Sequence, residues 1–467
     1  MKNHSGLKLV APAIQPPLDD GFRPAVLANK AFREAVEASG QSVPVHLALV
    51  RSPDSVSRFS TSVFAPDHPE AGQNFQFVER LLKFLLWSRG GAKIYFSGPK
   101  ELGEQLQKHY KESATGRFDA TTMGERIYET PLEVILVSEN ELPAEAEKTT
   151  PLGRHLDGCR IGFDLGASDR KAAAVIDGEP VYSEEVPWDP RPQTDPQWHF
   201  DQVMDALRSA AKHMPRVDAI GGSAAGVYVG NKVKVASLFR GVSPELFESR
   251  VKNLFLEIQK EWNVPLELVN DGEVTALAGA MTIGEDAVLG VAMGSSEAVG
   301  YVTPEGNITS WLNELAFAPI DYNPEAPVDE WSGDSGVGAL YFSQQSLTRL
   351  VPAAGIDLPK EMSLPDKLVE VQKLMADGDE RAKKIYQTIG TYFGYAIAHY
   401  AEFYDFKYLL VLGRVASGTG GEIILDCARE VLDKEFPELS KKVKFHVPGE
   451  TEKRHGQAMA AASLPAL

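Results

Sequence analysis

The chain has 467 residues, more than one hydrophobic core normally serves, so we expect two or three domains. Apolar residues make up 43% of the chain and charged residues 24%, which is typical of soluble globular proteins with sizeable cores. The formal charge of −18 argues against a general nucleic-acid binder, because the field of the protein would repel phosphates.

The cysteines and the hydropathy pattern exclude further classes. Cys159 and Cys427 lie far apart, and no Cys or His spacing suits zinc or a disulfide framework. The apolar run near the N-terminus is too short for a secretory signal, and no run reaches the roughly 18–20 apolar residues of a membrane span. We therefore expect a cytoplasmic protein with no nucleic-acid and no membrane partner.

Residues 1–150 are predicted to form an α/β domain of their own, of unknown role. Short β-rich runs alternate there with helical apolar patterns, and the polar, proline-bearing stretch 139–151 is typical of a linker. The predicted strands are 45–50, 58–64, 92–96 and 131–137, and the predicted helices are 25–38, 74–88 and 100–111.

A polar hairpin follows this linker. Two β-rich runs, 160–163 and 172–176, flank the loop from Asp164 to Lys171. Backbone N–H groups in such a glycine-bearing turn can converge on an anion, and Asp164 could hold a divalent metal directly or through water. Ser168 and Lys171 add a hydroxyl and a positive charge. An ordinary hairpin with a polar tip remains the alternative.

The segments that follow contain polar residues at predicted strand ends. A strand is predicted over 233–239 with Ser237 inside it, and a long helix over 244–262. A short apolar strand, 265–269, then leads through Asn270 and Asp271 into an Ala-rich helix. Catalytic groups of α/β proteins are common where a strand passes into a helix, although Asp271 could equally cap the helix.

The polar hairpin then occurs a second time. A buried strand, 287–293, is followed by the turn 294–297 and another short strand, about 130 residues after the first such unit. Two copies of this unit indicate a duplicated fold in which two phosphate-binding hairpins face one cleft.

The remaining chain adds three features. A loop at 311–323 carries Glu314, and 329–335 is rich in turn residues. A predicted strand, 408–412, ends in a glycine-rich loop that opens a helix and could take the phosphates or ribose of a nucleotide. A closing helix is predicted over 453–464.

From residue 160 onward, the chain resembles the actin-like ATPase superfamily of sugar kinases, Hsp70 and actin, and within it the ROK family of bacterial sugar kinases and sugar-responsive regulators. The resemblance covers about two-thirds of the chain. It implies an α/β, two-lobed, ribonuclease H-like fold with duplicated mixed sheets. The first lobe would span 155–285 and the second 286–467, with the N-terminal α/β domain as an addition.

The resemblance also implies the residue roles of an ATP-dependent sugar kinase that uses ATP and Mg²⁺, takes a small sugar substrate and forms a homodimer. Asp271 would be the catalytic base, and Asp164 would lie in the outer shell of Mg²⁺. Substrate hydroxyls would be bound by Asn270, Glu314 and Ser237. ATP would be bound by Gly166, Ser168, Lys171, Gly294, Ser295, Gly413 and Arg414.

Several positions depart from the ROK pattern. Glu314 is kept, but Phe317 stands where the sugar-binding histidine is expected, and Ser237 replaces an asparagine. Arg414 replaces a glycine, and Glu297 is predicted to lie where the phosphate tail would sit. The zinc-binding cysteines are absent, so no zinc is expected. Two alternatives stay open: a non-catalytic sugar or nucleotide sensor, and a scaffold with residues 1–150 as a docking module.

Overall fold

A computed structural model describes residues 6–147, 152–447 and 450–467 of the chain, with only the backbone described for 450–455. The predicted domain boundary at 150 and the last part of the predicted linker therefore lie outside the described residues. The described part of that linker packs against the N-terminal unit: a 3₁₀ turn spans Glu139–Glu141, and Ala146 pairs with Val56 on the edge of a sheet.

The N-terminal unit, residues 6–147, has a four-stranded sheet in the order β2-β1-β3-β4. Strand β4 is parallel to β3, and the other pairs are antiparallel. Its strands are β1 (Ser42–Ser52), β2 (Ser55–Phe64), β3 (Lys93–Ser97) and β4 (Glu133–Leu136), and its α-helices are α1 (Ala25–Ser39), α2 (Asn74–Arg89), α3 (Lys100–Glu112) and α4 (Ala114–Ala120). A π-helix, Thr121–Tyr128, continues α4.

The first lobe has a five-stranded sheet in the order β11-β8-β5-β6-β7 and a separate β9-β10 hairpin. Its strands are β5 (Cys159–Leu165), β6 (Asp169–Ile176), β7 (Glu179–Pro187), β8 (Ala219–Ala224), β9 (Val227–Val229), β10 (Lys232–Val235) and β11 (Leu266–Asn270). Its α-helices are α5 (Pro196–Ala211), α6 (Pro244–Leu246), α7 (Leu254–Trp262) and α8 (Asp271–Ile283), with a π-helix at Phe247–Val251.

The second lobe has a four-stranded sheet in the order β13-β12-β14-β15. Its strands are β12 (Val288–Met293), β13 (Glu297–Val302), β14 (Tyr408–Leu412) and β15 (Lys444–His446). Its α-helices are α9 (Leu347–Ala353), α10 (Leu364–Ala376), α11 (Glu380–Tyr400), α12 (Gly418–Glu435), α13 (Pro437–Lys442) and the closing α14 (Glu450–Ala462), and 3₁₀ turns lie at Leu315–Phe317, Gly338–Leu340 and Gln344–Ser346.

The two lobe sheets repeat one topology, which confirms the predicted duplicated fold. In each, an antiparallel hairpin (β5-β6 or β12-β13) is followed by two parallel strands (β8 and β11, or β14 and β15). The turns of both hairpins are the glycine-bearing segments that the sequence singles out. Because the hairpin strands are equivalent, their turns lie at equivalent edges of the two sheets.

Helices α8 and α14 connect the lobes at their centre. α14 lies so close to the first sheet that a Cβ at Gly221 would overlap the carbonyl of Ala461. α8 lies equally close to the second sheet, since a Cβ at Gly300 would overlap the carbonyl of Gly272. Glycine lets a helix backbone approach a strand this closely. The start of α8, at Asp271, is therefore fixed between the two sheets.

The N-terminal unit and the second lobe share one hydrophobic core. Phe84 of α2 stacks on Phe403 with ring centroids 4.2 Å apart, and Phe22 meets Tyr392 edge-on at 4.7 Å. Each fully buried aromatic side chain of this kind contributes about 1.5–3 kcal/mol. The unit also reaches the first lobe, because Glu129 at the end of its π-helix forms ion pairs with Lys234 and Lys252.

Two local predictions in the first lobe are wrong. The strand predicted over 233–239 ends at Val235, and Ser237 begins a 3₁₀ turn, Ser237–Phe239, because Leu238 and Phe239 turn inward to the first-lobe core. The single helix predicted over 244–262 is instead broken after its π-helical segment, at Lys252 and Asn253. Among the described helices, none combines the length and apolar character needed to cross a bilayer.

Candidate active site

Asp271 is the first residue of α8, directly after β11. The helix is capped by the residue before it: the Asn270 side chain accepts the N–H of Gly272 at 2.7 Å and donates to the carbonyl of Gly226 at 2.7 Å. Asn270 thus caps the helix, which is the role that the sequence analysis left open as an alternative for Asp271. Although the Asp271 carboxylate also approaches the Gly272 N–H at 3.0 Å, its second oxygen is not needed by the cap.

The surroundings of Asp271 suit a base that works near neutral pH. Burial raises the pKa of Asp271 to about 6, and the negative charge of Asp164 adds to the rise. Asp164 is itself 6% exposed and accepts the Ser223 hydroxyl at 2.7 Å across neighbouring strands. The sequence-predicted residues of the first hairpin and of the β11–α8 junction therefore lie close together.

Glu314 comes to the same place from the second lobe. Burial raises the pKa of Glu314 to about 7, and the charge of Asp271 is the second cause. Burial also raises the pKa of Glu273, in the first turn of α8, to about 8; the Asn313 amide opposes this rise and the charge of Glu314 adds to it. Three carboxyl groups thus share one poorly solvated space, and they titrate as a coupled set.

The N-terminal unit holds Glu314 in place. The backbone N–H of Glu314 donates to the carbonyl of Trp87 at 2.9 Å, and that of Asn313 donates to Ser88 at 3.0 Å. These carbonyls belong to the last turn of α2, where helix carbonyls lack partners within the helix. Arg89 then lies 3.3 Å above the Trp311 ring and donates to the Phe403 carbonyl. The sequence pattern predicted helix α2, but nothing in it indicated that the C-terminal end of this helix contacts Glu314.

The two glycine-bearing turns close on themselves. The N–H of Gly166 donates to the carbonyl of Asp169, and the N–H of Gly294 donates to that of Ser296, each at 3.0 Å. Both glycine N–H groups are therefore already used within their turns. Ser168 and Ser295 are exposed at the tips. The Ser168 hydroxyl donates to the Asp169 carboxylate at 2.9 Å, so it would have to turn away from that partner to contact an anion.

Gly413 lies against the second turn. Its backbone has φ of +99°, and a Cβ there would crowd the backbone of Met293, the residue before Gly294. Gln344 donates its N–H to the Gly294 carbonyl at 2.9 Å from the other side. The exposed Arg414 follows, so the structure brings Gly294, Gly413 and Arg414 together.

Ser237 and Glu297 are placed differently from the sequence expectation. Ser237 is exposed in its 3₁₀ turn, and no hydrogen bond recorded for the described residues connects its side chain to Asp271 or Glu314. Glu297 does not lie in the path of a phosphate tail: it is 3% exposed and points into the core, where the Tyr400 hydroxyl donates to it at 2.9 Å. Strand alternation puts Glu297 on the same face as the buried Val299 and Tyr301.

The buried Glu297 should make stability depend on pH. Burial raises the pKa of Glu297 from 4.5 to about 8, so the folded protein binds its proton more tightly than the unfolded chain does. The contribution of the Glu297 proton to the free energy of unfolding is full below pH 4.5. It is lost as the pH rises to about 8. We expect Glu297→Gln, which can still accept from Tyr400, to become increasingly stable relative to wild type over this range, as measured by urea unfolding. Glu305→Gln, at an exposed position, is the control. The prediction would be contradicted if the difference in unfolding free energy between wild type and Glu297→Gln did not change with pH.

The residues around Asp164 fit a magnesium ion only together with phosphates. Among the described residues, no group of three or more His, Cys, Asp or Glu side chains is arranged to hold a metal. Asp164 has one oxygen bonded to Ser223, and the Lys171 ammonium lies 3.9 Å from the other. Mg²⁺ usually keeps several waters and binds one or two carboxylates plus substrate phosphates, which suits a single outer-shell Asp164.

Solved structures with a similar fold include a ROK hexokinase from Thermus thermophilus, with 17% identity over 65% of this chain and 97% of that one, at a TM-score of 0.50. A Streptomyces griseus ROK glucokinase in complex with glucose and AMPPNP matches with 20% identity over 65% of this chain and 98% of that one, at a TM-score of 0.50. The chain therefore shares the ROK fold over about two-thirds of its length. No protein-family model and no curated protein matches the sequence.

The ROK fold is also shared with a transcriptional regulator, described as a homolog of the E. coli MLC protein. That match has 18% identity over 66% of this chain and 79% of the regulator, at a TM-score of 0.50. Each of these matches covers about two-thirds of the chain. The predicted fold class is confirmed, since these matches show a fold shared with ROK structures.

Proposed function

We propose that the protein is an ATP-dependent kinase that transfers the γ-phosphate to a hydroxyl of a sugar or sugar derivative. The observation that carries the proposal is the pairing of Asp271 and Glu314 at one place between the lobes, with the pKa of Asp271 raised to about 6. The ROK fold, which a glucokinase with bound glucose and AMPPNP shares, supports it.

In this mechanism Asp271 accepts the proton of the sugar hydroxyl as its oxygen attacks the γ-phosphorus. A base whose pKa lies near the working pH combines adequate ionisation with adequate basicity. Asn270 and Glu314 orient the sugar hydroxyls, and Ser237 stays a predicted substrate contact. Phosphoryl transfer depends mainly on placement and on charge neutralisation, so these orienting contacts supply much of the rate.

The nucleotide is held between the two turns. Ser168 and Ser295 donate hydroxyl and backbone hydrogen bonds to phosphate oxygens, and Lys171 adds a positive charge. Gly166 and Gly294 set the shape of the turns, while Gly413 and Arg414 border the adenosine. Asp164 would hold Mg²⁺ through water, and the ion supplies positive charge against the phosphate oxygens.

The second candidate function is a sugar or nucleotide sensor without turnover. The fold of a transcriptional regulator matches as well as that of the kinases, which favours this alternative. The substituted Phe317 adds weight to it, because an apolar ring cannot donate the hydrogen bond of a histidine. A scaffold that docks through residues 1–150 has no such specific support, because the described N-terminal unit, residues 6–147, is packed into the second lobe.

A coupled ATPase assay across hexoses, amino sugars and N-acetylated sugars tests the kinase directly. We expect one sugar class to raise ADP release well above the rate without sugar, and ATP–Mg²⁺ with that sugar to raise the melting temperature. Calorimetric binding of a sugar with no ADP release would support the sensor. Absence of both binding and turnover across the panel would contradict both functions.

A further inference from the structure

A groove lies between the N-terminal unit and the turn-rich segment 329–335, outside the candidate active site. It has a volume of about 470 Å³ and is lined from one side by α4 and its π-helix and from the other by residues Glu330–Gly333. π-Helices are rare and are frequent at functional sites. The groove therefore joins an unusual backbone segment to the turn-rich segment 329–335.

The aromatic wall of the groove is exposed and is supported by contacts with other rings. Trp331 is 51% exposed, yet its ring meets Phe118 edge-on at 5.6 Å and Phe317 at 5.2 Å. The segment behind it is fixed, because Asp334 forms ion pairs with Arg80 and Lys83 of α2. An exposed tryptophan that is held in one orientation offers a flat apolar face to a ligand.

Two arginines face the same groove without carboxylate partners. Arg117 and Arg126 line it and are exposed, and neither belongs to any ion pair recorded for the described residues. The one described hydrogen bond of the Arg117 guanidinium goes to the Glu112 carbonyl. In a chain with a formal charge of −18, two exposed guanidinium groups with no described carboxylate partner make a local anion site.

Glu330 limits which anion fits. Its carboxylate is exposed on the same rim, opposite α4, and takes part in no described ion pair. It can accept hydrogen bonds from hydroxyl groups, but it repels a second phosphate. A ligand with one phosphate, several hydroxyls and one apolar ring face satisfies all three requirements, whereas a nucleoside di- or triphosphate does not.

We propose that this groove binds a phosphorylated monosaccharide. Its phosphate pairs with Arg117 and Arg126, its ring stacks on Trp331, and its hydroxyls donate to Glu330. Phe317 connects the groove to the candidate active site, since its N–H donates to the Glu314 carbonyl and its ring touches Trp331. If the proposed kinase function holds, the groove is placed to sense the class of compound that the enzyme makes.

Isothermal titration calorimetry of the full chain with glucose 6-phosphate, glucose and inorganic phosphate tests the proposal. We expect glucose 6-phosphate to bind more tightly than either fragment. Arg126→Gln should weaken binding about tenfold or more through the lost charge-assisted hydrogen bond. Trp331→Ala should weaken it about fivefold to tenfold. Arg58→Gln, an exposed arginine outside the groove, is the matched control and should leave binding unchanged.

A Glu314→Ala variant separates the groove from the cleft. Glucose 6-phosphate binding that persists in this variant and is lost in Trp331→Ala supports the groove even if no kinase activity is found. Binding lost in Glu314→Ala but kept in Trp331→Ala would assign the ligand to the cleft and overturn the proposal. Failure of wild type to bind glucose 6-phosphate at millimolar concentration would also overturn it. Because the substituted groove side chains are exposed, unchanged melting temperatures verify that those variants fold.

Discussion

Replacing Asp271 with asparagine should remove most turnover and leave the fold and ligand binding intact. Removing a general base typically costs about 10²–10⁴-fold in rate. Asparagine has nearly the same shape, and its side-chain oxygen can still accept the Gly272 N–H that Asp271 approaches at 3.0 Å. Steady-state kcat with the sugar found in the panel, together with calorimetric binding of that sugar, measures both parts.

The control for this substitution is Asp189→Asn, at an exposed aspartate of the same lobe. The pH profile gives a second readout. Burial, followed by the charge of Asp164, raises the pKa of Asp271 to about 6, and only the ionised carboxylate accepts a proton. Wild-type kcat/KM should therefore rise with pH through about 6 and then level off. Unchanged kcat in the Asp271→Asn enzyme would remove Asp271 from the mechanism.

Replacing Lys83 with methionine should cause the largest loss of stability. The Lys83 ammonium is fully buried and lies 2.9 Å from both Asp119 and Asp334. Burial alone would lower the pKa of Lys83, but these two carboxylates outweigh it and raise the pKa. Removing one partner of a buried ion pair leaves an uncompensated charge and costs about 3–5 kcal/mol.

Urea unfolding measures this loss, with Lys108→Met as the matched control. Lys108 forms an exposed pair with Glu112 on the surface of α3, and such pairs contribute only about 0.3–0.5 kcal/mol. Adding Asp119→Asn to Lys83→Met should recover part of the loss, because one buried negative charge is then removed. Unfolding of Lys83→Met at the wild-type urea concentration would contradict the prediction.

The loss of stability in Lys83→Met should extend beyond α2. Because the N-terminal unit and the second lobe share one hydrophobic core, we expect both to lose stability together rather than the unit to detach. α2 also carries the carbonyls of Trp87 and Ser88 that fix the backbone at Glu314. A variant that loosens α2 should therefore weaken sugar binding as well, which a Lys108→Met change should not do.

Local patterns in the sequence predict the hairpins and the strand–helix junction well. The alternating runs around Asp164 and around Gly294 form the predicted β5-β6 and β12-β13 hairpins, because β-branched residues and turn glycines act over a few neighbouring positions. The position of Asp271 at the start of α8 follows in the same way from the apolar strand before it and the Asn270 cap.

The predictions made from the sequence were wrong where a contact with a distant part of the chain sets the local structure. The run through Ser237 has strand-like residues, but Leu238 and Phe239 pack into the first-lobe core and bend the backbone into a 3₁₀ turn. Glu297 follows a polar turn, so a solvent-facing carboxylate was the natural expectation. Its direction depends on which face of β13 the rest of the protein covers.

The sequence by itself determined the order of the motifs, the repeated hairpin and the acidic residue at the head of α8, since each depends on neighbouring residues. Only the tertiary structure decided that α2 holds Glu314, that Glu297 is buried against Tyr400, and that Trp331 and two arginines share a groove. The physical reason is that alternation and helical period fix which side chains share a face. They do not fix which distant surface packs against that face.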